Sequence, residues 1–220
     1  MTLEKIIAKI TAILDTGVAR VGFVSPSHVI PQVKFIISAI HSLGYKPVWV
    51  YNSNGYDKIE TLRTLEGLID IYLPDFKYSD LALAAAYSDA IDYPEIAAGA
   101  IREMVRQKGP VLQLSDKGTA ESGIIIRHLV LPGQVENSLK VVRYIAEEIS
   151  PRIHVSLMSQ YYPIPKVLCH PELGRTVLRN EYKRVSDEMM NLGMVNGWIQ
   201  ELESNDHYRP DFEREEPFLQ

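Results

Sequence analysis

Val21-Gly22-Phe23-Val24 leads into Ser25-Pro26-Ser27; Ile36, Ile37, Ile40 and Leu43 follow at helical spacing up to Gly44, and Val48-Trp49-Val50-Tyr51 comes next. This stretch decides the fold. A short apolar run opens into a polar loop, an amphipathic helix follows, and a second apolar run begins. Pro31 suits the first turn of that helix, because the N–H it lacks is unpaired there anyway. Gly44 suits its end. Strand, loop, helix, strand is the order of a parallel crossover, in which the helix returns the chain to start the next strand in the same direction.

The unit recurs outward in both directions. Before it, Leu3, Ile6, Ile7, Ile10, Ile13 and Leu14 predict a helix that Thr2 caps and that ends before Gly17. After it come a turn, Asn52-Ser53-Asn54-Gly55, a helix carrying Ile59, Leu62, Leu65 and Leu68, and a strand over 69–73 broken by Asp70. Helices are expected over 81–87 and 94–108, and Ser115-Asp116-Lys117-Gly118 reads as the turn of a hairpin insertion. Ile124-Ile125-Ile126 starts a strand, 136–149 a helix, 153–158 a strand, 179–192 a helix and 197–200 a terminal strand. Five strands and a terminal one, with helices between, make an open parallel sheet or a partial barrel. In either, ligands sit at the carboxyl ends of the strands.

Bulk properties narrow the function. The chain has 220 residues, 23 Lys and Arg against 28 Asp and Glu, and a net charge of −5. That charge gives no electrostatic reason to expect nucleic acid. No apolar run approaches the roughly 18 residues of a membrane span, and Met1-Thr2-Leu3-Glu4-Lys5 lacks a signal-peptide layout. A cytoplasmic protein without membrane or nucleic-acid partners is expected. There is one cysteine, Cys169, so neither an internal disulfide nor an all-cysteine metal site can form from this chain alone. Cys169-His170 has no zinc-site spacing and is expected to hold a buried or inert thiol. His41, His154 and His207 are expected at the surface, Met189-Met190 in the core, and Glu147-Glu148 on a solvated helix face.

The strand ends supply the candidate site: Ser25, Ser27 and His28; Asn52, Ser53, Asn54 and Gly55; Asp75 and Lys77; Arg127 and His128; Ser159, Gln160 and Tyr161. Any one loop is polar without special reason. Lys77 and Arg127 are more telling, because both lie in or beside apolar strands and a buried cation needs a partner. Residues two apart in an extended segment point the same way, so Asp75 and Lys77 could share a face. Lysine and arginine bind carboxylates, arginine with two parallel bonds. A ligand bearing both an ammonium and a carboxylate suits such a rim.

Four of these segments, in order, resemble the strand-end motifs of one family. They are Phe23-Val24-Ser25-Pro26-Ser27-His28, Tyr51-Asn52-Ser53-Asn54-Gly55-Tyr56, Tyr72-Leu73-Pro74-Asp75-Phe76-Lys77-Tyr78 and Arg127-His128-Leu129-Val130-Leu131-Pro132-Gly133. The family is that of the radical S-adenosylmethionine proteins related to the pyruvate formate-lyase activating enzyme, and the resemblance runs from Thr2 to about Glu201. It implies an α/β fold, a partial parallel (β/α) barrel (a TIM-like arc) missing its first strand. It also implies two cofactors: S-adenosylmethionine, and a 4Fe-4S cluster that cleaves it reductively to a radical. By the resemblance, Ser25 and Ser27 fall where the family contacts the ammonium end of the methionine moiety, with Ser-Pro-Ser in place of the commoner Gly-Gly-Glu. Asn52 and Ser53 fall near the cofactor. Asp75 and Lys77 match an Asp-x-Lys beside the methionyl part, Arg127 matches a strand arginine near the carboxylate, and Gln160 closes the rim.

The family holds its cluster with Cys-x-x-x-Cys-x-x-Cys in the loop after the first barrel strand, and no such motif is present here. The expectation is a glycyl-radical-enzyme activase-like protein in truncated or split form, unable to bind its cluster alone, with no catalytic or metal-binding residue of its own assigned. The alternative is a cluster-free domain of the same descent that binds a small molecule or a partner. Expected partners are the small-molecule cofactor and either a target protein or a complementary N-terminal segment. Residues 1–202 are expected to form the barrel domain, and 203–220 a polar, poorly ordered C-terminal tail.

Overall fold

The computed structural model describes residues 2–202. The tail expected over 203–220, and His207 within it, lie outside the described residues. The elements alternate as the apolar runs predict: α1 (Leu3–Leu14), β1 (Arg20–Val24), α2 (Ile30–Ser42), β2 (Val48–Ser53), α3 (Ile59–Arg63), β3 (Ile71–Pro74), α4 (Leu81–Ser88), α5 (Tyr93–Lys108), β4 (Gln113–Leu114), β5 (Ala120–Leu129), α6 (Val135–Tyr144), β6 (His154–Met158), α7 (Arg179–Asn191) and β7 (Gly197–Ile199). The strand order is β1-β2-β3-β5-β6-β7, with the short β4 antiparallel to β5. This is the parallel α/β arc expected from the sequence. Two compact units divide it, one of residues up to Phe76 with Leu81–Ile126, the other of Lys77–Asp80 with the residues from Arg127 onward.

In the first unit β1, β2, β3 and the start of β5 pair in parallel, with Val24 opposite Asn52, Ser53 opposite Pro74 and Tyr72 opposite Ile124. Asp70 explains why β3 starts at Ile71. Its carboxylate accepts the Trp49 N–H at 2.7 Å, and its own N–H donates to the Trp49 carbonyl at 3.0 Å, so it fills the rung below the strand. The core between sheet and helices holds Trp49, Tyr51, Tyr72, Ile37, Ile40, Leu62, Leu65, Ile69, Ile101 and Met104, all buried. Each contributes roughly 1.5–3 kcal/mol of burial. The predicted hairpin forms: Ser115 N–H bonds to Thr119 O at 2.8 Å, and Gly118 N–H to Ser115 O at 2.9 Å.

The helix expected over Ile59–Leu68 is shorter than its pattern. Only Ile59–Arg63 is α-helical; Leu65, Glu66 and Leu68 then bond three residues back, and Gly67 turns at φ +78°. Tight turns keep Leu62, Leu65 and Ile69 in the core where a regular helix would rotate them. Glu103 of α5 ties this region down. It is 5% exposed, takes two bonds from Arg106 at 2.9 and 3.0 Å and one from Gln107 at 2.9 Å, and lies 3.7 Å from Arg63. Gln107 in turn accepts from the Tyr72 hydroxyl at 2.7 Å and donates to Leu62 O at 3.0 Å. The Arg106 bonds hold the Glu103 carboxyl at about 2, below the usual 4.5.

That shift fixes a pH dependence. A carboxyl depressed by folding contributes its stability fully above the unfolded value and loses it as pH falls through the folded one. Glu103→Gln is therefore expected to lower stability at pH 7 by about 1.5 kcal/mol, modest because its arginine partners are half exposed or more. The gap to the parent should close between pH 4.5 and about 2. Thermal melts across pH 7 to 2 measure it; a gap unchanged at pH 2 would show that the charge is irrelevant.

In the second unit the end of β5 pairs with β6, Val130 N–H bonding to Met158 O at 3.0 Å, and β6 pairs with β7 in parallel from Val155 opposite Gly197 to Leu157 opposite Ile199. The helix expected over 136–149 begins regular and closes in a π-turn over Ile145–Ile149, with Ser150 N–H bonding five residues back. Glu147 and Glu148 are exposed, as read from the sequence. Three surface assignments change. Cys169 is exposed, not buried; Met190 is 55% exposed while Met189 is buried; and His154 is half-buried, its imidazole pushed down by that burial. No helix among the described residues is long and apolar enough to cross a membrane.

Candidate functional site

In the first unit the parallel register aligns three strand ends rung by rung. Ser25 N–H bonds to Asn52 O at 2.8 Å, and Asp75 N–H bonds to Ser53 O at 2.9 Å, so Ser25, Asn52–Ser53 and Asp75 form one row at the carboxyl edge. Ser25 sits at φ 50°, ψ 49°, a left-handed conformation that costs a non-glycine residue about 1 kcal/mol or more. Pro26 adds to the strain, since the residue before proline favours extended backbone. The side chain of Ser25 is exposed. Strain of this kind clusters at binding sites.

Asn52 and Ser53 are consecutive, so their side chains leave β2 on opposite faces. Asn52 is half-buried on the face of Val48 and Val50; Ser53 is 1% exposed on the face of Trp49 and Tyr51. There Ser53 joins a cluster that the sequence reading missed. Asp57, 2% exposed, accepts from the Ser27 hydroxyl at 2.6 Å and the Tyr51 hydroxyl at 2.8 Å through one oxygen, and from the Ser53 hydroxyl through the other. Ser53 Oγ also accepts the Gly55 N–H at 2.9 Å. Burial and the nearby Asp57 carboxylate push the Tyr51 phenol above its ordinary range. Ser27 and Ser53 thus spend their hydroxyls fixing the loops after β1 and β2. The spacing Tyr51-x-Ser53-x-x-x-Asp57 was the available signal: the first two share a strand face, and a loop aspartate can fold back to them.

The loop after β2 is fixed a second time by Tyr93, the first residue of α5. Its hydroxyl donates to the carbonyls of Asn54 at 2.9 Å and Asp75 at 3.0 Å. Gly55 turns between them at φ +82°, and a Cβ there would lie 2.2 Å from Asp75 O. Asp75 itself is half-buried.

In the second unit, Lys77 and Arg127 are half-buried and His128 on β5 is fully buried. Asn137, 4% exposed, donates to Lys77 O at 3.0 Å and accepts Ser79 N–H at 2.9 Å, which pins the Lys77 segment to α6. Gln160 is exposed past β6; its oxygen accepts from Gln200 at 3.0 Å, while Gln200 accepts Ser159 N–H at 3.0 Å. Tyr161 donates to Leu173 O at 2.8 Å. Gly133, the last residue of the Arg127-to-Gly133 motif, donates its N–H to Glu181 at 2.8 Å. Glu181 also takes both Arg175 nitrogens at 2.8 Å and Leu178 N–H at 2.8 Å, and this guanidinium first of all holds its carboxyl at about 2.

A cysteine-ligated cluster does not fit these residues. Among the described residues no three His, Cys, Asp or Glu side chains gather as metal ligands, and Cys169 is the chain's one thiol. His170 beside it spends Nδ1 on the N–H groups of Glu172 and Leu173 at 3.2 and 3.1 Å.

No family model matches the chain. It is 28% identical over 168 residues to an uncharacterized protein of Methanocaldococcus jannaschii, a match that takes in 75% of this chain and 45% of that protein, so the chain spans about half the length of this curated relative. Among solved structures it is similar to a domain of pyruvate-formate lyase-activating enzyme from Bacteroides vulgatus, at a TM-score of 0.56 and 14% identity, covering 82% of this chain and 98% of that domain. At that identity the likeness is one of fold: this chain has the arc of parallel strands and covering helices found in a domain of an activating enzyme.

Proposed function

We propose that this chain carries the S-adenosylmethionine-binding part of a radical S-adenosylmethionine protein of the activase type, and that the thiolates for its 4Fe-4S cluster come from outside these 220 residues. The observation that carries the reading is the hydrogen-bonded row of Ser25, Asn52 and Asp75 at the carboxyl edge of a fold like that of an activating-enzyme domain, with Ser25 held in a strained conformation. In the first unit, the Asp75 carboxylate suits the ammonium of the methionine moiety, and Ser25 and Asn52 offer a hydroxyl and a carboxamide to ribose or amino-acid oxygens. Ser27 and Ser53 hold those loops in place through Asp57. In the second unit, the Arg127 guanidinium and the Lys77 ammonium suit a carboxylate, and Gln160 adds an amide. The single cysteine favours a second reading, a cluster-free domain that binds the same ligand or a partner protein.

Calorimetric titration of the iron-free chain with S-adenosylmethionine tests the binding half. Asp75→Asn is expected to weaken binding about tenfold or more with the melting temperature little changed. Anaerobic incubation with iron and sulfide tests the other half. The chain alone should develop no cluster absorption, whereas a fusion to a three-cysteine segment should. A cluster assembled by the chain alone would overturn the need for outside thiolates, and a fusion that stays colourless would favour the cluster-free reading.

A further inference from the structure

Tyr56 is held at three points and still presents a ring to solvent. Its N–H bonds to the Asn54 side-chain oxygen at 3.0 Å, and its hydroxyl donates to Asp92 at 2.7 Å. Its ring lies parallel to that of Tyr93, with centroids 6.1 Å apart and planes 6° from parallel. Tyr93 beneath is buried and anchored through its hydroxyl to two loop carbonyls, so the stack has a rigid base. Tyr56 itself is 39% exposed. The pair stands in the loop that follows β2, beside the carboxyl edge that carries Asn52 and Asp75.

Closing this loop does not require such a ring. Tyr93 already bridges Asn54 and Asp75, and the Asp57 cluster already fixes the segment on its other side. What Tyr56 adds is a flat, immobilised π-face, which loses little freedom when another ring stacks on it. The Asn54 carboxamide spends only its oxygen in the turn, leaving its NH2 as a donor for a ring nitrogen or exocyclic oxygen.

We propose that the outward face of Tyr56 is a stacking site for the planar base of a nucleoside, adenine first among them. The choice of adenine rests on the function proposed above; the stacking site rests on the geometry of Tyr56, Tyr93 and Asn54. The parallel Tyr93 ring and the Asn54 turn hold the Tyr56 ring without the Asp92 bond, so the hydroxyl adds little to stacking.

The test is titration of the full chain with adenosine, and with ribose as the baseless control, followed by calorimetry and by the ring-proton NMR shifts of Tyr56. Adenosine should bind and shift those protons, and ribose should do neither. Tyr56→Phe should bind within about twofold of the parent. Tyr56→Leu, which keeps bulk on Tyr93 but has no π-face, should bind roughly five- to a hundredfold more weakly. Equal affinity of Tyr56→Leu and the parent, or adenosine binding without a Tyr56 shift, or no adenosine binding at millimolar concentration, would each overturn the site. S-adenosylmethionine separates the two proposals. Binding that depends on Asp75 but not on Tyr56 removes the stacking site alone, and adenosine binding that depends on Tyr56 without any binding of S-adenosylmethionine removes the function alone.

Discussion

Asp57→Ala is expected to destabilise the protein by about 3 kcal/mol, because it takes the common acceptor from three hydroxyl donors in a buried cluster. At this chain length that is a fall in melting temperature of roughly 6–12 °C. Asp57→Asn keeps one acceptor oxygen but loses the charge and brings two N–H donors into a cluster that already has three O–H groups. It should fall about midway. The effect is local in origin: Ser27 belongs to the loop after β1, Tyr51 and Ser53 to β2, and only Asp57 bonds to all three. Differential scanning calorimetry of both variants measures it. A fall under about 2 °C for Asp57→Ala would mean that the hydroxyls find other acceptors at little cost, and that Asp57 does not hold the two loops.

Gly55→Ala carries the second large effect. A Cβ at this position would lie 2.2 Å from the Asp75 carbonyl oxygen and 3.1 Å from the Tyr93 hydroxyl, on a backbone at φ +82°. The left-handed conformation alone costs alanine about 1–2 kcal/mol. The clash with backbone adds to it, for a total of about 3 kcal/mol. Gly67→Ala is the matched control: it has a similar φ of +78° and open space around the missing Cβ, so it should lose only the conformational part. The difference between the two isolates the contact with Asp75. Because relief of that contact requires Asp75 to move, Gly55→Ala should also weaken S-adenosylmethionine binding about tenfold, whereas Gly67→Ala should leave it intact. Equal losses in both variants would show that the approach of Gly55 to Asp75 is not a constraint on the site.

The periodicity carried the fold because the strands of the sheet's middle are apolar and bounded by turns, and because α2 and α5 each bury one stripe against them. Val21–Val24, Val48–Tyr51 and Ile124–Ile126 are short apolar runs bounded by turns, and α2 and α5 show one apolar stripe each. Departures occurred where a local contact outweighed the pattern. Leu65 and Leu68 continue a helical spacing, yet Gly67 and the packing of Leu65 and Ile69 break the helix after Arg63.

The site was legible only in part. Strand ends can be located from apolar runs, so Ser25, Asn52 and Asp75 could be named in advance. The direction of a side chain depends on the phase of the strand, and that separated Asn52 from Ser53. The residues that hold the loops were hidden for a different reason. Asp57 had a weak local signal in its spacing from Tyr51 and Ser53, but Tyr93, Asn137 and Glu181 act across 18 to 60 positions, and a lone tyrosine, asparagine or glutamate has no local pattern that marks it as an anchor.

Titration of the iron-free chain with S-adenosylmethionine in a calorimeter asks directly whether these strand ends bind it. Saturable binding that Asp75→Asn weakens at least about tenfold is the predicted result. No heat and no thermal shift at millimolar S-adenosylmethionine, from a chain that melts cooperatively, would contradict it.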